Sequence, residues 1–299
     1  MIDPIIFTIR LGSLVLPVRW YGVIIAVAVF MGAWITSREL RKRRGDPDIA
    51  YDGLIWVLPA AIIGARLWYV INDILGGNRR YLEQPLEIIN IPSGGLHIFG
   101  GVLLGALVLI WYARRNKLDV LMILDSVAPA LLISQAIGRI GNFINQELYG
   151  PPTNMPWGIP IEANHRIPPW DDLSQFPLNE TRFHPTFAYE MIWNILAAGL
   201  LFWLYRRYEQ RLKPGVIFAG WMLLAGIGRV LVESFRPDQP ALPGTGLSIS
   251  RLVFAIVALI GALIILVRFE LVRLPWIKDW PDHYHGVLSK RARKAAHRR

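Results

Sequence analysis

Three arginines lie inside long apolar runs of the sequence, namely Arg66, Arg139 and Arg229. An ionised side chain at mid-bilayer costs about 2.5 to 3.5 kcal/mol on insertion scales, so each needs a partner or a function. A guanidinium group keeps its charge when desolvated and binds a phosphate through two parallel hydrogen bonds. Because these runs contain few carboxylates, we expect the arginines to bind an anion. A phospholipid headgroup that enters sideways from the bilayer fits this expectation.

Two carboxylates in the same runs leave a structural interpretation open. Glu233 follows Arg229 by four residues, so the two side chains can pair on one helix face. Asp125 lies in an earlier run. For both carboxylates, locking of a helix bundle and direct participation in chemistry are equally compatible with the sequence. Close approach of a lipid and simple helix packing are likewise both open for three small residues, Gly138, Gly141 and Gly228.

Two histidines are candidates for a general base. His97 lies between two glycine pairs in the segment SGGLHIFGG, residues 93–101. This pattern predicts tight, non-helical backbone, which is tolerated at membrane depth only where it lines a cavity. A hydrogen-bonded core histidine is the alternative. His184 precedes Pro185 and Thr186 at the start of another apolar run, where it could also cap a helix; Tyr189 and Glu190 follow.

The composition is that of a membrane protein. The 299 residues are 54% hydrophobic and 18% charged, whereas a soluble domain has about a quarter charged residues. Apolar runs of about 20 residues predict an all-α polytopic membrane protein. We predict seven spans, with six or eight still open because the third is short: Val15–Ile35, Leu54–Leu75, Leu96–Tyr112, Val120–Ile144, Thr186–Tyr205, Val216–Phe235 and Ser248–Val267. We expect the first span to be retained, since residues 1–17 lack the features of a signal peptide.

The basic residues predict the orientation in the membrane. About two thirds of the 32 Lys and Arg residues follow the first, third, fifth and seventh runs. Since basic residues beside spans stay on the cytoplasmic side, we expect the N-terminus outside and the C-terminus in the cytoplasm. The net charge of +10 then reflects topology and attraction to anionic membrane lipids, so no nucleic acid partner is expected. The absence of cysteine excludes disulfides, thiolate metal sites and a Cys nucleophile.

The same runs predict the domain organisation. We expect residues 1–282 to form a transmembrane catalytic domain and residues 283–299 to form a basic cytoplasmic tail. An insertion at about 145–185, rich in Pro, Trp and Asn, is long enough to fold as a small head on the outer face. The tail has little apolar content and is expected to be a mobile extension that touches lipid.

One segment carries a resemblance to a known family. Residues 138–150, GRIGNFINQELYG, resemble the signature of prolipoprotein diacylglyceryl transferases. Seven spans with an outside N-terminus and an outer-face head domain are also features of that family. The resemblance covers about Trp20 to Arg236 and includes Trp20-Tyr21-Gly22, residues 64–67, Asp125, His184-Pro185-Thr186, Tyr189-Glu190, Arg229, Glu233 and Arg236.

The resemblance implies a reaction and its partners. It implies transfer of the diacylglyceryl group from phosphatidylglycerol to the lipobox cysteine of a prolipoprotein signal peptide. The products would be a thioether and glycerol 1-phosphate, formed at the bacterial inner (plasma) membrane. No metal or organic cofactor is required. Because the phosphate charge grows from about −1 toward −2 as the ester leaves, preorganised arginines would bind the transition state more strongly than the ground state.

The resemblance also implies residue roles. Arg139 and Arg229 would hold the phosphate, and Asn142 and Glu147 would shape the signature loop. The expected catalytic residues are Arg139, Arg229, His97, Tyr21 and Glu233. The expected substrate-binding residues are Arg139, Asn142, Glu147, Gly150, Arg66, Arg236 and His184.

Two positions depart from the family pattern. The family usually has its essential histidine directly before the second glycine pair, where this chain has Phe99. His97, two residues earlier, points the same way in an extended segment but about 200° away on a helix. Thiolate formation therefore depends either on His97 or on the field of Arg139 and Arg229, with assistance from His184. The family also usually has a tyrosine four residues before Arg229, where this chain has Ala225.

Two other functions are compatible with parts of the sequence. A membrane transporter or channel for an organic anion would also place arginines and broken helices within the bilayer. No obvious inverted repeat between the halves supports it. An intramembrane serine protease is a weaker interpretation, since Ser126 and Ser134 lie in the fourth run but no Gly-x-Ser-x-Gly motif is present.

Overall fold

The described part of the chain consists mainly of long apolar helices. The computed structural model describes residues 2–12, 14–91, 94–236, 248–273 and 280–284. Seven helices in these ranges are long and apolar enough to cross a membrane, so the prediction of a polytopic membrane protein with seven spans is confirmed. They are α1 (Trp20–Lys42), α2 (Ile49–Leu75), α4 (Ile98–Arg115), α5 (Val120–Ile144), α6 (Thr186–Tyr208), α7 (Val216–Glu233) and α8 (Ile249–Arg268). Ser93, the 237–247 connection, Lys278 and the tail from 285 onward lie outside the described residues.

The helix ends follow hydrogen bonding and the helix dipole more closely than hydropathy. The bounds of α5 agree with the prediction, and α6 and α7 start where predicted. Four helices, α1, α4, α6 and α8, continue beyond their apolar runs into polar residues, so that α1 ends on Arg41 and Lys42 and α4 on Arg114 and Arg115. Basic side chains in the last turn are favourable because they face the negative end of the helix dipole.

The N-terminus corrects the all-α prediction. Strands β1 (Ile5–Leu11) and β2 (Leu14–Arg19) form an antiparallel hairpin, so the first helix begins at Trp20 and not at Val15. Gly12 has φ +62° in the turn, a conformation that suits glycine. A hydropathy window sums the apolar residues of β2 with those of the helix that follows and cannot separate the two.

The chain divides into two compact units. The first contains residues 1–35 and 124–283. Its core lies where α5, α6 and α7 meet, and Ser134 on α5 donates a hydrogen bond of 2.8 Å to the Ala28 carbonyl on α1. Small residues in this core let the helices approach closely. The buried members are Ala128, Leu132, Ala197, Ala198, Leu201, Tyr205, Ile217 and Ala225.

Asp125 provides the cap of a neighbouring helix. Its fully buried carboxylate accepts hydrogen bonds from the backbone N–H of Gly215 at 2.6 Å and of Phe218 at 2.7 Å. Gly215 is the N-cap residue of α7, has φ +90° and offers no side chain. Because the first N–H groups of a helix have no partner within it, α7 takes its capping acceptor from α5. The structural interpretation of Asp125 is therefore supported.

The segment between α5 and α6 forms a small apolar core of its own. The Tyr149 hydroxyl donates to the His165 carbonyl at 3.1 Å and accepts from the Ile167 N–H at 2.8 Å. The Arg166 guanidinium lies 5.0 Å from the centre of the Phe183 ring. These contacts close residues 145–185 into a folded insertion. Its core residues are Tyr149, Ile161, Trp170 and Phe183.

The second unit contains residues 36–123 and 284–299. Its helices α2 and α4 cross in close contact at Gly64 and Gly100, where a Cβ on Gly64 would lie 2.6 Å from Leu104 Cβ. Trp56 and Trp111 pack edge to face, with ring centres 5.9 Å apart. Between these helices lie the short α3 (Arg80–Glu83) and a 3-10 helix (Pro85–Ile89).

Candidate active site

Three charged side chains from three helices meet in the first unit. Arg139 of α5 donates from Nη2 to Oε1 of Glu190 on α6. Arg229 of α7 approaches the other oxygen, with 3.5 Å between Nη1 and Oε2. All three side chains are at most 19% exposed. One carboxylate therefore bridges two guanidinium groups, an arrangement called the arginine clamp below.

The helix order explains why these residues meet. Arg139 lies five residues before the end of α5, Glu190 four after the start of α6, and Arg229 four before the end of α7. Successive antiparallel helices with a rise of 1.5 Å per residue place such positions at similar depth. Glu190 has no role predicted from the sequence, although this comparison of depths could have identified it.

The charge balance corrects one expectation. The sequence indicated too few carboxylates for the arginines, but the negative charges of Glu190 and Glu233 balance the positive charges of Arg139 and Arg229. The pair predicted from i, i+4 spacing is confirmed, with 3.0 Å between Arg229 Nε and Glu233 Oε2. Two serines at the start of α8 complete this side of the clamp, since Glu233 Oε1 accepts from Ser248 at 2.8 Å and Arg229 Nε donates to Ser250 at 3.2 Å.

The signature loop, residues 142–150, orients Arg139. Arg139 Nη1 donates to Asn142 Oδ1 at 2.9 Å, and Asn142 Nδ2 donates to Glu147 Oε1 at 2.8 Å. The Glu147 N–H returns to the Asn142 carbonyl at 3.0 Å. Asn145 makes a second contact to Glu147 Oε1 at 3.3 Å. The structure therefore brings Asn142 and Glu147 into one hydrogen-bond chain with the clamp, as expected for residues that shape this loop.

Gly150 and His184 join the loop to the start of α6. The Gly150 N–H donates to the His184 carbonyl at 2.8 Å, and a Cβ on Gly150 would lie 2.8 Å from the Phe235 carbonyl oxygen. No larger residue fits without a backbone shift. The His184 ring shares a 2.9 Å hydrogen bond with the Tyr189 hydroxyl, which also accepts from Trp157 Nε1 at 2.8 Å. The helix-capping interpretation of His184 is therefore wrong.

Two of the three glycines singled out in the spans lie where a neighbouring aromatic ring packs against the helix. A Cβ on Gly141 would lie 2.6 Å from Tyr21 Cδ2, so the tyrosine ring packs directly on α5. A Cβ on Gly228 would collide with the indole of Trp193. Around Gly138, the nearest atom to an added Cβ is Ile25 Cδ1 at 4.0 Å. Helix packing accounts for the first two glycines, and Tyr21 packs against α5, the helix that carries Arg139.

Arg66, in the second unit, donates its hydrogen bonds to backbone carbonyls. It donates to the carbonyls of Ile88 at 2.8 Å and Glu87 at 2.5 Å, and from Nη1 to those of Gly94 at 2.5 Å and Gly95 at 3.0 Å. Its guanidinium is thus directed at the connection between α2 and α4. The expectation that an anion must satisfy this arginine is wrong, because carbonyl oxygens do so.

His97 is the N-cap residue of α4. Its backbone is extended, with φ −117° and ψ +123°, and its N–H donates to the Ala65 carbonyl at 3.0 Å. The predicted non-helical backbone is confirmed at 94–97 but wrong at 98–101, which belong to α4. The rings of His97 and Phe99 stack with centres 5.4 Å apart, so the two positions present their rings to the same side. His97 Nδ1 is buried without a hydrogen-bond partner among the described residues.

A cavity of about 400 Å³ opens beside the signature loop in the first unit. It lies between the N-terminal hairpin, the loop and the 145–185 insertion, and Arg19, Glu147 and His165 are among its lining residues. Arg236 is buried just after α7, where its N–H donates to the Glu233 carbonyl at 3.0 Å. Within the described ranges, no group of three or more His, Cys, Asp or Glu side chains is suited to hold a metal ion.

Comparison with known proteins identifies the family of the chain. The family model described as prolipoprotein diacylglyceryl transferase matches residues 4–267. Among curated relatives, the phosphatidylglycerol–prolipoprotein diacylglyceryl transferase of Corynebacterium efficiens is 37% identical over 84% of this chain and 78% of its own. Those of Chloroflexus aggregans and Synechococcus elongatus are both 36% identical, over 82% and 93% of this chain and 81% and 91% of their own. The chain belongs to the prolipoprotein diacylglyceryl transferase family.

Proposed function

We propose that the chain transfers the diacylglyceryl group of phosphatidylglycerol to the lipobox cysteine of prolipoproteins, the first step of bacterial lipoprotein maturation. The relatives named above carry this activity in their names. The observation that carries the proposal onto this chain is the arginine clamp, in which Arg139 and Arg229 are fixed by Glu190. The comparisons give no support to the alternative of an anion transporter.

The clamp retains donors for a phosphate. Arg139 Nε is buried and meets no acceptor among the described residues. Arg229 directs Nε and Nη1 at protein oxygens, while its Nη2 donates to none of the residues described. A phosphate diester between these groups would accept charge-assisted hydrogen bonds from both arginines. These two donors support a phosphate site at the clamp.

The reaction is a displacement at carbon. The cysteine sulfur attacks the glycerol carbon that carries the phosphate, a C–S bond forms and the C–O bond breaks. The electron pair leaves with the phosphate oxygen, so glycerol 1-phosphate departs with more negative charge than the diester had. Guanidinium groups already in place stabilise that growing charge without reorganisation. The arginines therefore act on the leaving group.

The thiol proton needs an acceptor. A free cysteine has a pKa of about 8.5 and is mostly protonated at neutral pH. We assign the base role to His97, whose Nδ1 is buried without a described partner. The field of Arg139 and Arg229 favours the thiolate as well, and His184 lies on the loop side of the clamp. Metal and organic cofactors have no step in this scheme.

The remaining residues position the clamp. Asn142 and Glu147 orient Arg139, and Glu233 orients Arg229. Gly150 allows the loop to contact the start of α6. The expected substrate-binding residues His184 and Arg236 lie just before α6 and just after α7, and the expected catalytic residue Tyr21, on α1, packs against α5. We propose that Arg66 shapes the α2–α4 connection and does not touch substrate.

The proposal includes an orientation in the bilayer. The clamp lies near the end of α5, the start of α6 and the end of α7, whereas α6 carries basic residues at its other end. With the basic end in the cytoplasm, the clamp and the 145–185 head face the outside of the bacterial plasma membrane. Residues 1–282 then form one catalytic domain, with a basic cytoplasmic tail.

Substitution of Arg139 tests this function. We expect Arg139→Ala to lower turnover by about 10²-fold or more, as removal of an oxyanion donor does. Purified protein in detergent with phosphatidylglycerol and a lipobox peptide reports both glycerol phosphate release and lipid addition. Arg115→Ala, at the basic end of α4, is the matched control and should turn over normally. Near-normal turnover of Arg139→Ala, or glycerol phosphate release without the peptide cysteine, would refute the scheme.

A further inference from the structure

A second cavity lies at the other end of the clamp helices. It has a volume of about 290 Å³ and is enclosed by the end of α6, the start of α7 and the end of α8. The clamp uses the opposite ends of the same three helices, at Glu190, Arg229 and Ser248. Its apolar walls include Leu201, Leu204, Leu212, Val216, Ile265 and Phe269.

Tyr208 and Arg211 also line this α6–α8 cavity, through their carbon atoms. The exposed Arg211 guanidinium makes no hydrogen bond or ion pair with any residue in the described ranges, and the Tyr208 hydroxyl has no hydrogen-bond partner there either. Lys213, close by in sequence, is satisfied by Glu270 at 2.9 Å and Asp282 at 3.3 Å. Arg211 is thus a cation beside this cavity that has no partner among the described residues.

We propose that the α6–α8 cavity binds one acyl chain of an anionic phospholipid, with the phosphate held by Arg211 and Tyr208. Apolar walls offer water no hydrogen bonds, so hydrocarbon is the favoured occupant. The volume suits part of one chain and excludes a folded protein element. The charge selects an anionic headgroup, and each Lys or Arg near a membrane surface contributes about 1 kcal/mol to such attraction.

The inference is independent of the proposed transferase reaction. The cavity and the clamp are at opposite ends of α6, α7 and α8, so lipid in the cavity does not occupy the substrate site. An acyl chain in this cavity would contact α6, the α6–α7 connection and α8 and would fill the space between them. The site is therefore a structural lipid site with a headgroup preference.

Photolabelling tests the occupant and its position. The full-length protein is placed in phosphatidylcholine nanodiscs that contain a small fraction of phosphatidic acid with a diazirine on one acyl chain. Phosphatidylcholine with the same diazirine chain is the reference lipid. After illumination, mass spectrometry maps the labelled peptides. We expect phosphatidic acid to label residues 201–220 and 265–269 at least fivefold more than the reference lipid does.

Matched variants separate the cavity from the general lipid surface. Ile265→Trp fills the cavity and should lower labelling of these peptides at least fivefold, and Arg211→Ala should abolish the preference for phosphatidic acid. Arg206→Ala is the control, because Arg206 is exposed on the same helix end but does not line the cavity. Unchanged melting temperatures in lipid-free detergent confirm folding. Equal labelling by both lipids, or undiminished labelling of Ile265→Trp, overturns the proposal.

Discussion

At the scale of single residues, the carboxylate of Glu190 has two opposing effects on the site. It holds Arg139 and Arg229 in one geometry by bridging them. It also occupies a position where a substrate phosphate would find positive charge. In the proposed reaction the first effect serves catalysis, because preorganised donors need no reorganisation as charge develops. The second effect opposes binding of the anionic ground state.

Glu190→Gln separates these two effects. The neutral amide no longer competes with phosphate, so we expect the KM for phosphatidylglycerol to fall or stay unchanged. Two guanidinium groups without a shared anion repel each other and lose alignment, so kcat should fall at least tenfold, a change of about 1.4 kcal/mol in the barrier. Steady-state kinetics measure both constants. Glu180→Gln, an exposed position in the 145–185 insertion, is the control. A higher KM with normal kcat would mean that Glu190 binds substrate instead.

His97→Ala tests the base at residue scale. A positioned general base contributes about 10²- to 10⁴-fold, so turnover at pH 7 should fall within that range. Activity of the variant should recover as pH rises toward the thiol pKa, since solution then supplies thiolate. Because the rings of His97 and Phe99 are stacked, the double exchange His97→Phe with Phe99→His should retain more activity than His97→Phe alone. Normal turnover of His97→Ala at pH 7 would assign thiolate formation to the arginines.

At the scale of elements, the sequence predicts the long apolar helices, but it does not predict the N-terminal hairpin or the contacts between elements. Apolar runs located all seven long helices, because a continuous run of about 20 apolar residues is typical of membrane-spanning helices and rare elsewhere. The hairpin before Trp20 was missed because its strands are as apolar as the helix. The partners of Arg66 are backbone carbonyls, which carry no sequence signal. Glu190 was missed because its contacts cross between helices.

Asp125 shows how one element depends on another, and its substitution has a predicted cost. Asp125→Ala leaves the N–H groups of Gly215 and Phe218 without an acceptor at the buried start of α7. A hydrogen bond to a charged group contributes about 1.5 to 3 kcal/mol, so we expect destabilisation of about 3 kcal/mol. Asp125→Asn keeps one acceptor oxygen and should lose less. Thermal unfolding in detergent measures the difference, with Asp171→Ala at an exposed position as the control. Equal melting temperatures of Asp125→Ala and the parent protein would contradict the capping role.

At the scale of the whole molecule, charge is divided between the two ends of the helices. The basic residues gather at the ends of α1, α4 and α6. The clamp lies near the start of α6, and the 145–185 insertion is the connection that leads into it. The orientation proposed above satisfies the positive-inside rule and would place the clamp on the outer face, where the proposed reaction would need the prolipoprotein cysteine. The function and the topology are therefore linked, and a measurement of topology tests both.

The absence of cysteine makes that measurement direct, since every introduced thiol is the sole thiol of the chain. Asn179→Cys in the 145–185 insertion should react with a membrane-impermeant maleimide in intact cells. Asn116→Cys, in the connection between α4 and α5, should react only after the membrane is opened. Leu259→Cys lies midway along α8 and is 70% exposed in the protein alone, so lipid should protect it in both cases. Labelling of Asn116→Cys in intact cells, with protection of Asn179→Cys, would invert the topology and place the arginine clamp on the side where prolipoprotein cysteines are not delivered.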